Sequence, residues 1–176
     1  VKFGDAKKIY ELLVDKGKDF NLSNCGMHSM DIMRMESGFL HWGHDISPEE
    51  NQYQAGLSFA ISKSKSVDFI GKKALEKIKK DKIKSRFLMF TLENSKPGEP
   101  LLLHDEPIYL EEKIIGRTTS GNYSFNFKKN LMFGYVNNDI SNDELQKKKL
   151  FVEVEKQKYP IKLNLKPLKQ TNYKNI

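Results

Sequence analysis

Glu36 lies at the end of the run Met33-Arg34-Met35-Glu36-Ser37-Gly38. Apolar spacing predicts a helix over residues 26–37, with Gly38 placed to end it. A carboxylate in that last turn faces the negative pole of the helix dipole, at a cost of about 0.3–1 kcal/mol. Arg34, two positions earlier, points to a different side and does not offset it. Glu36 therefore needs a partner from outside the helix. Phe39 and Trp42 follow at once. A flat heterocycle would suit this arrangement, because a carboxylate accepts two N–H groups in a fork while aromatic rings cover the face. A lysine paired with Glu36 at the surface would meet the same need, and composition alone favours it.

Three further groups are chemically capable. His41, His44 and Asp45 invite a metal or an acid–base reading, yet their spacing supplies no third and fourth ligand of a zinc site. Structural hydrogen bonding is the simpler expectation for them. Thr118-Thr119-Ser120-Gly121-Asn122-Tyr123-Ser124 reads as a hydroxyl-rich loop that could bind an anion or close a turn between strands. Cys25, the single cysteine, fits a small buried hydrophobe and excludes an internal disulfide. No phosphate-binding Gly-rich loop and no nucleophile elbow occurs. The residues alone offer no complete catalytic machine.

These groups need elements to hold them. Ile9, Leu12 and Leu13 share a stripe, which predicts a helix over residues 5–16 stopped by Gly17. Residues 57–61 fit a strand, residues 72–79 a helix, and Ser47-Pro48 a turn or helix entry. After about residue 84 the texture changes. Strands are predicted at 87–92, 100–103, 107–110, 113–118, 132–136, 150–154 and 159–163, separated by turn residues. Short strands at this spacing imply a small antiparallel barrel or sandwich. A boundary falls between residues 84 and 85.

Composition narrows the function classes. The chain has 176 residues, 38% of them hydrophobic, and a net charge of +7. No apolar run approaches the roughly 20 residues that span a bilayer, so no membrane partner is expected. The start Val1-Lys2-Phe3-Gly4 lacks both a secretory signal and a Met, which suggests a piece of something longer. From Lys63 to Arg86, ten basic residues face three acidic ones, a surplus equal to the net charge of the whole chain. Such a stretch can attract a polyanion or be a solvated helix face. It carries no nucleic-acid reading motif, so no nucleic acid is expected.

Together these motifs resemble the aminomethyltransferase family, the glycine-cleavage T-protein and its relatives. The residues that carry the likeness are Arg34-Met35-Glu36, Gly38, Trp42-Gly43 and Asp45, followed by Tyr53-Gln54-Ala55-Gly56-Leu57. Asp68-Phe69-Ile70-Gly71-Lys72-Lys73-Ala74-Leu75, residues 116–121 and Phe133-Gly134-Tyr135-Val136 extend it. Within the family the likeness leans to dimethylglycine and sarcosine dehydrogenases.

The resemblance implies an α+β chain. Residues 1–84 would be the C-terminal portion of an α/β folate-binding domain, and residues 85–176 a small antiparallel β-barrel. It implies tetrahydrofolate as ligand, with Glu36 on the pterin N–H groups and Trp42 where T-proteins have Tyr. Lys63 or Lys65 would stand at the place of a folate-contacting basic residue. The acidic tail of a polyglutamylated folate would suit the basic segment. The family's catalytic Asp lies in an N-terminal part that this sequence lacks, so the segment alone is not expected to catalyse. The parent would make 5,10-methylenetetrahydrofolate from an N-methyl amine, with FAD bound outside this segment. The alternatives are a T-protein-like aminomethyltransferase or demethylase without a flavin domain, and a non-catalytic folate- or partner-binding module. The single cysteine and the absent signal agree with bacterial cytoplasm or, in a eukaryote, the mitochondrial matrix.

Overall fold

A computed structural model describes residues 1–62, 68–80 and 83–169, without the side chains of 79 and 80. The chain divides into two compact units, Val1–Met30 and Asp31–Ile176. The first is built on helix α1, Ala6–Gly17, entered through a 3-10 turn at Phe3–Asp5 and followed by another at Lys18–Phe20. Leu22 N donates to the Gly17 carbonyl at 2.9 Å, so the chain reverses where Gly17 was expected to stop the helix. None of α1 is buried. Cys25 is exposed, contrary to the buried position expected of it.

Helix α2, Met27–Glu36, ends in the second unit. Gly38 adopts φ +76, and the closing bonds run from Gly38 N to Met35 O (3.0 Å) and from Phe39 N to Arg34 O (2.9 Å). That pair is the glycine-terminated helix end anticipated above. Helix α3, Lys72–Lys80, follows. Among the described residues no helix is long and apolar enough to cross a membrane.

The rest of the unit is a closed six-stranded antiparallel barrel, in the order β1-β4-β3-β2-β5-β6. The strands are β1 Ser85–Leu92, β2 Pro107–Leu110, β3 Lys113–Ser124, β4 Lys129–Asn137, β5 Leu150–Val154 and β6 Gln157–Asn164. The fold is thus α+β, as expected. Strand β4 explains how the barrel meets α2. Its residues alternate, with Met132 and Val136 in the barrel interior and Leu131 and Phe133 on the outer face against Met35. Both faces are covered, so β4 reads as a nearly continuous apolar run. Burying Met35 there contributes about 1.5–3 kcal/mol. Gly134 permits the close pairing of β3 and β4: a Cβ at that position would lie 2.4 Å from the Arg117 carbonyl oxygen.

Several expectations fail on this frame. Residues 57–61 form a 3-10 turn at Ser58–Ala60 rather than a strand, because Gly56 at φ +73 breaks the extended path and successive turn bonds consume the backbone donors. Residues 100–103 make no strand, although Leu102 enters the core. At Ser47-Pro48, read as a turn or a helix entry, the chain forms the turn. The supposed hydroxyl-rich loop at 118–124 is the second half of β3. Helix α4, Asn142–Lys147, was not anticipated. Ser141 caps it by accepting from Glu144 N at 3.1 Å, and Leu145 enters the barrel core.

Candidate functional site

Two buried carboxylates fasten the end of α2 and the turn after it to the barrel. Glu36 is 1% exposed. Its Oε1 accepts from Ser124 Oγ at 2.5 Å and from Asn126 Nδ2 at 3.1 Å, and its Oε2 from the same Asn126 Nδ2 at 2.9 Å. The outside partner required by the helix dipole is therefore the β3–β4 turn. Ser124 Oγ also accepts from Phe127 N at 3.0 Å, which shapes that turn. The lysine alternative is not what the structure shows, and the fork of N–H donors reserved for a heterocycle is occupied by an amide of the chain itself.

Asp45 is the second carboxylate, also 1% exposed. Its Oδ2 accepts from the guanidinium of Arg34 and from His41 N at 2.8 Å. Its Oδ1 accepts from Thr119 Oγ1 at 2.6 Å and Ser120 Oγ at 2.8 Å. Neighbours on a regular strand point to opposite faces, so two consecutive hydroxyls should not reach one oxygen. They do so because β3 shifts register against β4 between Thr118 and Ser120, a bulge that turns both toward Asp45. Tyr135 Oη donates to the Asp45 carbonyl at 2.9 Å. Burial, with Glu50 and Asp45 adding negative charge, holds the Tyr135 phenol well above its ordinary pKa.

Arg34 completes the arrangement. Besides Asp45 it donates to Asp31 Oδ1 (Nε at 2.9 Å, Nη2 at 2.7 Å), to the Phe39 carbonyl at 3.2 Å and to Ser120 Oγ at 2.8 Å. It lies 5.3 Å from the centroid of the Phe133 ring. A buried guanidinium needs this many acceptors to offset its lost hydration. The result is a short segment, residues 37–45, held by Arg34 and Asp45 while its large rings stay in solvent. Phe39 is 53% exposed and Trp42 65%.

The rings of His41 and His44 lie 4.5 Å apart, but Asp45 turns inward to the backbone of His41 and forms no imidazole–carboxylate pair. Among the described residues no three His, Cys, Asp or Glu side chains gather as metal ligands. Lys63 and Lys65 lie outside the described residues. Of the positions singled out for folate, the structure thus places Glu36 in the latch to the β3–β4 turn and Trp42 on the exposed segment.

With this geometry established, comparison with known proteins finds two family profiles in sequence order. Residues 1–65 match the GCVT N-terminal domain, and residues 86–169 match the glycine cleavage T-protein C-terminal barrel domain. The chain belongs to the glycine-cleavage T-protein family. It is 32% identical over 164 residues to dimethylglycine dehydrogenase of Rattus norvegicus, which covers 93% of this chain and 18% of that protein. It is 32% identical over 136 residues to the aminomethyltransferase of Symbiobacterium thermophilum, covering 77% of this chain and 35% of that one. The fold matches the crystal structure of the aminomethyltransferase T of Bartonella henselae with TM-score 0.75 at 24% identity, over 94% of this chain and 44% of that chain. The chain therefore spans a minor part of each relative. It is a T-protein-family segment related both to the amine dehydrogenases and to stand-alone aminomethyltransferases.

Sequence reasoning gave no site role to four positions that the structure brings together here: Thr119, Ser120, Asn126 and Tyr135. Thr119 and Ser120 stood in a noticed motif but were read as loop. A run of three hydroxyls before Gly121 in a β-rich region could have suggested a bulged strand. Asn126 carried no local signal, and Tyr135 stood in the Phe133-Gly134-Tyr135-Val136 motif without a role, because their partners lie 90 positions away.

Proposed function

We propose that this chain is the C-terminal part of a folate-binding module, in an enzyme that transfers a one-carbon unit from an N-methyl amine to tetrahydrofolate. Residues 1–84 would belong to the folate-binding domain and residues 85–176 to the barrel, whose first strand begins at Ser85. The observation that carries the proposal is the segment bearing Phe39 and Trp42. Its rings are solvent-exposed, yet Arg34 and Asp45 fix the backbone beneath them. Holding exposed rings in place costs conformational entropy, and a stacking surface for a flat ligand is a use that offsets it.

Trp42 would stack on the pterin. Glu36 would receive the pterin N–H groups by exchanging the Asn126 amide for them, while Ser124 keeps its bond. Lys63 and Lys65 would meet the anionic tail. Tetrahydrofolate would supply the amines that accept a carbon at the formaldehyde level. This chain's contribution is orientation, which can supply several kcal/mol of a barrier. An FAD-dependent amine-oxidising domain upstream is the dehydrogenase version of the proposal. The mitochondrial rat relative supports a matrix location in a eukaryote, and in a bacterium we place the protein in the cytoplasm.

The test is product analysis with full-length protein, supplied with dimethylglycine or sarcosine with and without tetrahydrofolate. The proposal expects 5,10-methylenetetrahydrofolate in place of free formaldehyde. Release of formaldehyde at the same rate in both conditions would sink it. Neutralising Lys63 and Lys65 should weaken a polyglutamyl folate more than the monoglutamyl form, and equal losses would remove them from the tail site.

A further inference from the structure

A polar cleft of about 350 Å³ lies on the barrel, lined by Gly43, His44, His104, Asp105, Arg117 and Thr119. It shares only Gly43 and His44 with the exposed aromatic turn, and neither latch carboxylate lines it. Its floor is firmly built. Asp105 N donates to the Thr118 carbonyl at 2.9 Å, and Thr118 N returns a bond to Glu106 O at 2.9 Å. Asp105 takes φ +65, a left-handed conformation that Asp tolerates better than most residues. One carboxylate oxygen accepts from Arg117 Nη1 at 2.6 Å, and the other lies 3.0 Å from His104 Nδ1.

The single acidic group of the cleft is therefore spent on orienting two nitrogen bases. The hydrogen bond with His104 and the charge of Arg117 hold the Asp105 carboxyl below its usual range, so it stays an anion and keeps both in place. With Nδ1–H donated to Asp105, His104 Nε2 is open to a ligand, as an acceptor in the neutral ring and as a donor only in the imidazolium. Arg117 spends one of its five N–H groups on Asp105, and its remaining donors keep the fork that matches carboxylate and phosphate oxygens. His44 adds a second imidazole. Thr119 contributes no donor, because its hydroxyl proton goes to Asp45. The unspent donors of the cleft are therefore those of Arg117.

We propose that this cleft is a binding site for a small oxyanion, a phosphate or carboxylate group of a ligand, held by the Arg117 guanidinium beside the imidazoles of His104 and His44. The site does not depend on the folate reading above. Two or three charge-assisted hydrogen bonds at a partly exposed site give a dissociation constant on the order of 1 mM for the free anion.

The experiment titrates the chain with potassium phosphate at ionic strength held constant with potassium chloride, following the imidazole resonances of the four histidines. A second arm uses acetate. Saturable shifts at His44 and His104, with His28 unmoved, are expected. Arg117→Gln should weaken the effect about tenfold or more. Arg117→Lys, which keeps the charge and loses the fork, should fall between the two. Tighter binding of phosphate assigns a phosphoryl ligand, and tighter binding of acetate a carboxylate. Shifts that never saturate, that appear equally at His28, or that survive Arg117→Gln unchanged would overturn the proposal. Arg117 is a surface side chain, so its variants should fold, and an unchanged far-UV spectrum checks this.

Discussion

Replacing Asp45 by Ala is the perturbation to which the structure attaches the largest consequence. The carboxylate is buried and receives Arg34, His41 N, Thr119 and Ser120. Its removal takes from the Arg34 guanidinium, only 14% exposed at its side chain, its fully buried counter-charge and leaves only the partly exposed Asp31. Breaking a buried pair from one side costs about 3–5 kcal/mol. Two hydroxyls of the β3 bulge lose their acceptor as well. Against a typical total stability of about 5–15 kcal/mol, this is a large fraction. With a urea m-value of about 2 kcal/mol/M, the unfolding midpoint should fall by about 2 M. Urea titration followed by far-UV circular dichroism measures it. Arg34→Met on the Asp45→Ala background removes the stranded cation and should recover part of the loss, so the two changes must be strongly non-additive. A loss under about 1 kcal/mol, or simple additivity, would mean that the pair behaves as a surface ion pair and that the latch is not a latch.

Other consequences follow from the same geometry. Glu36→Ala should cost about 1–3 kcal/mol by stranding Ser124 and Asn126, and hydrogen exchange should quicken at the β3–β4 turn near Phe127 before it does in β5. Gly134→Ala forces a Cβ to within 2.4 Å of the Arg117 carbonyl and 3.0 Å of Ile108 Cδ1; overpacking of about 1–3 kcal/mol should lower the melting temperature by several degrees. Tyr135 has a folded-state pKa above its unfolded value, so the unfolded chain loses the proton first as pH rises. Stability should therefore be flat to about pH 9 and fall above about pH 10, and Tyr135→Phe should flatten that fall in melting curves taken from pH 8 to 11.

How much of this was legible in the sequence depends on the range of the interaction. Helix α2 and its end were readable because Gly38 is a local signal. Strand β5 was readable because alternation is local too. The awkward placement of Glu36 correctly implied a partner outside the helix. Its identity was not readable, because Ser124 and Asn126 lie 88 and 90 positions away. The residues at 118–124 were noticed for their hydroxyls and misread as loop. Their polarity looked wrong for a strand until the buried Asp45 supplied an inward acceptor. Residues 57–61 misled in the opposite direction: an apolar run suggested a strand, but among the described residues no strand pairs with it. The family likeness rested in part on residues that turn out to build the latch, Arg34, Glu36 and Asp45 among them. That is why it indicated the fold more securely than it indicated the ligand.

The proposal of a folate site is tested most directly by equilibrium binding of tetrahydrofolate to full-length protein, wild type against Trp42→Ala and Glu36→Gln. Trp42 is exposed and bears no part of the latch, so its loss should leave the melting temperature unchanged. The account predicts saturable binding that weakens about tenfold or more with Trp42→Ala, from the lost stacking, and also weakens with Glu36→Gln. Binding equal to wild type in both variants, or no saturable binding to the wild-type protein, would contradict it.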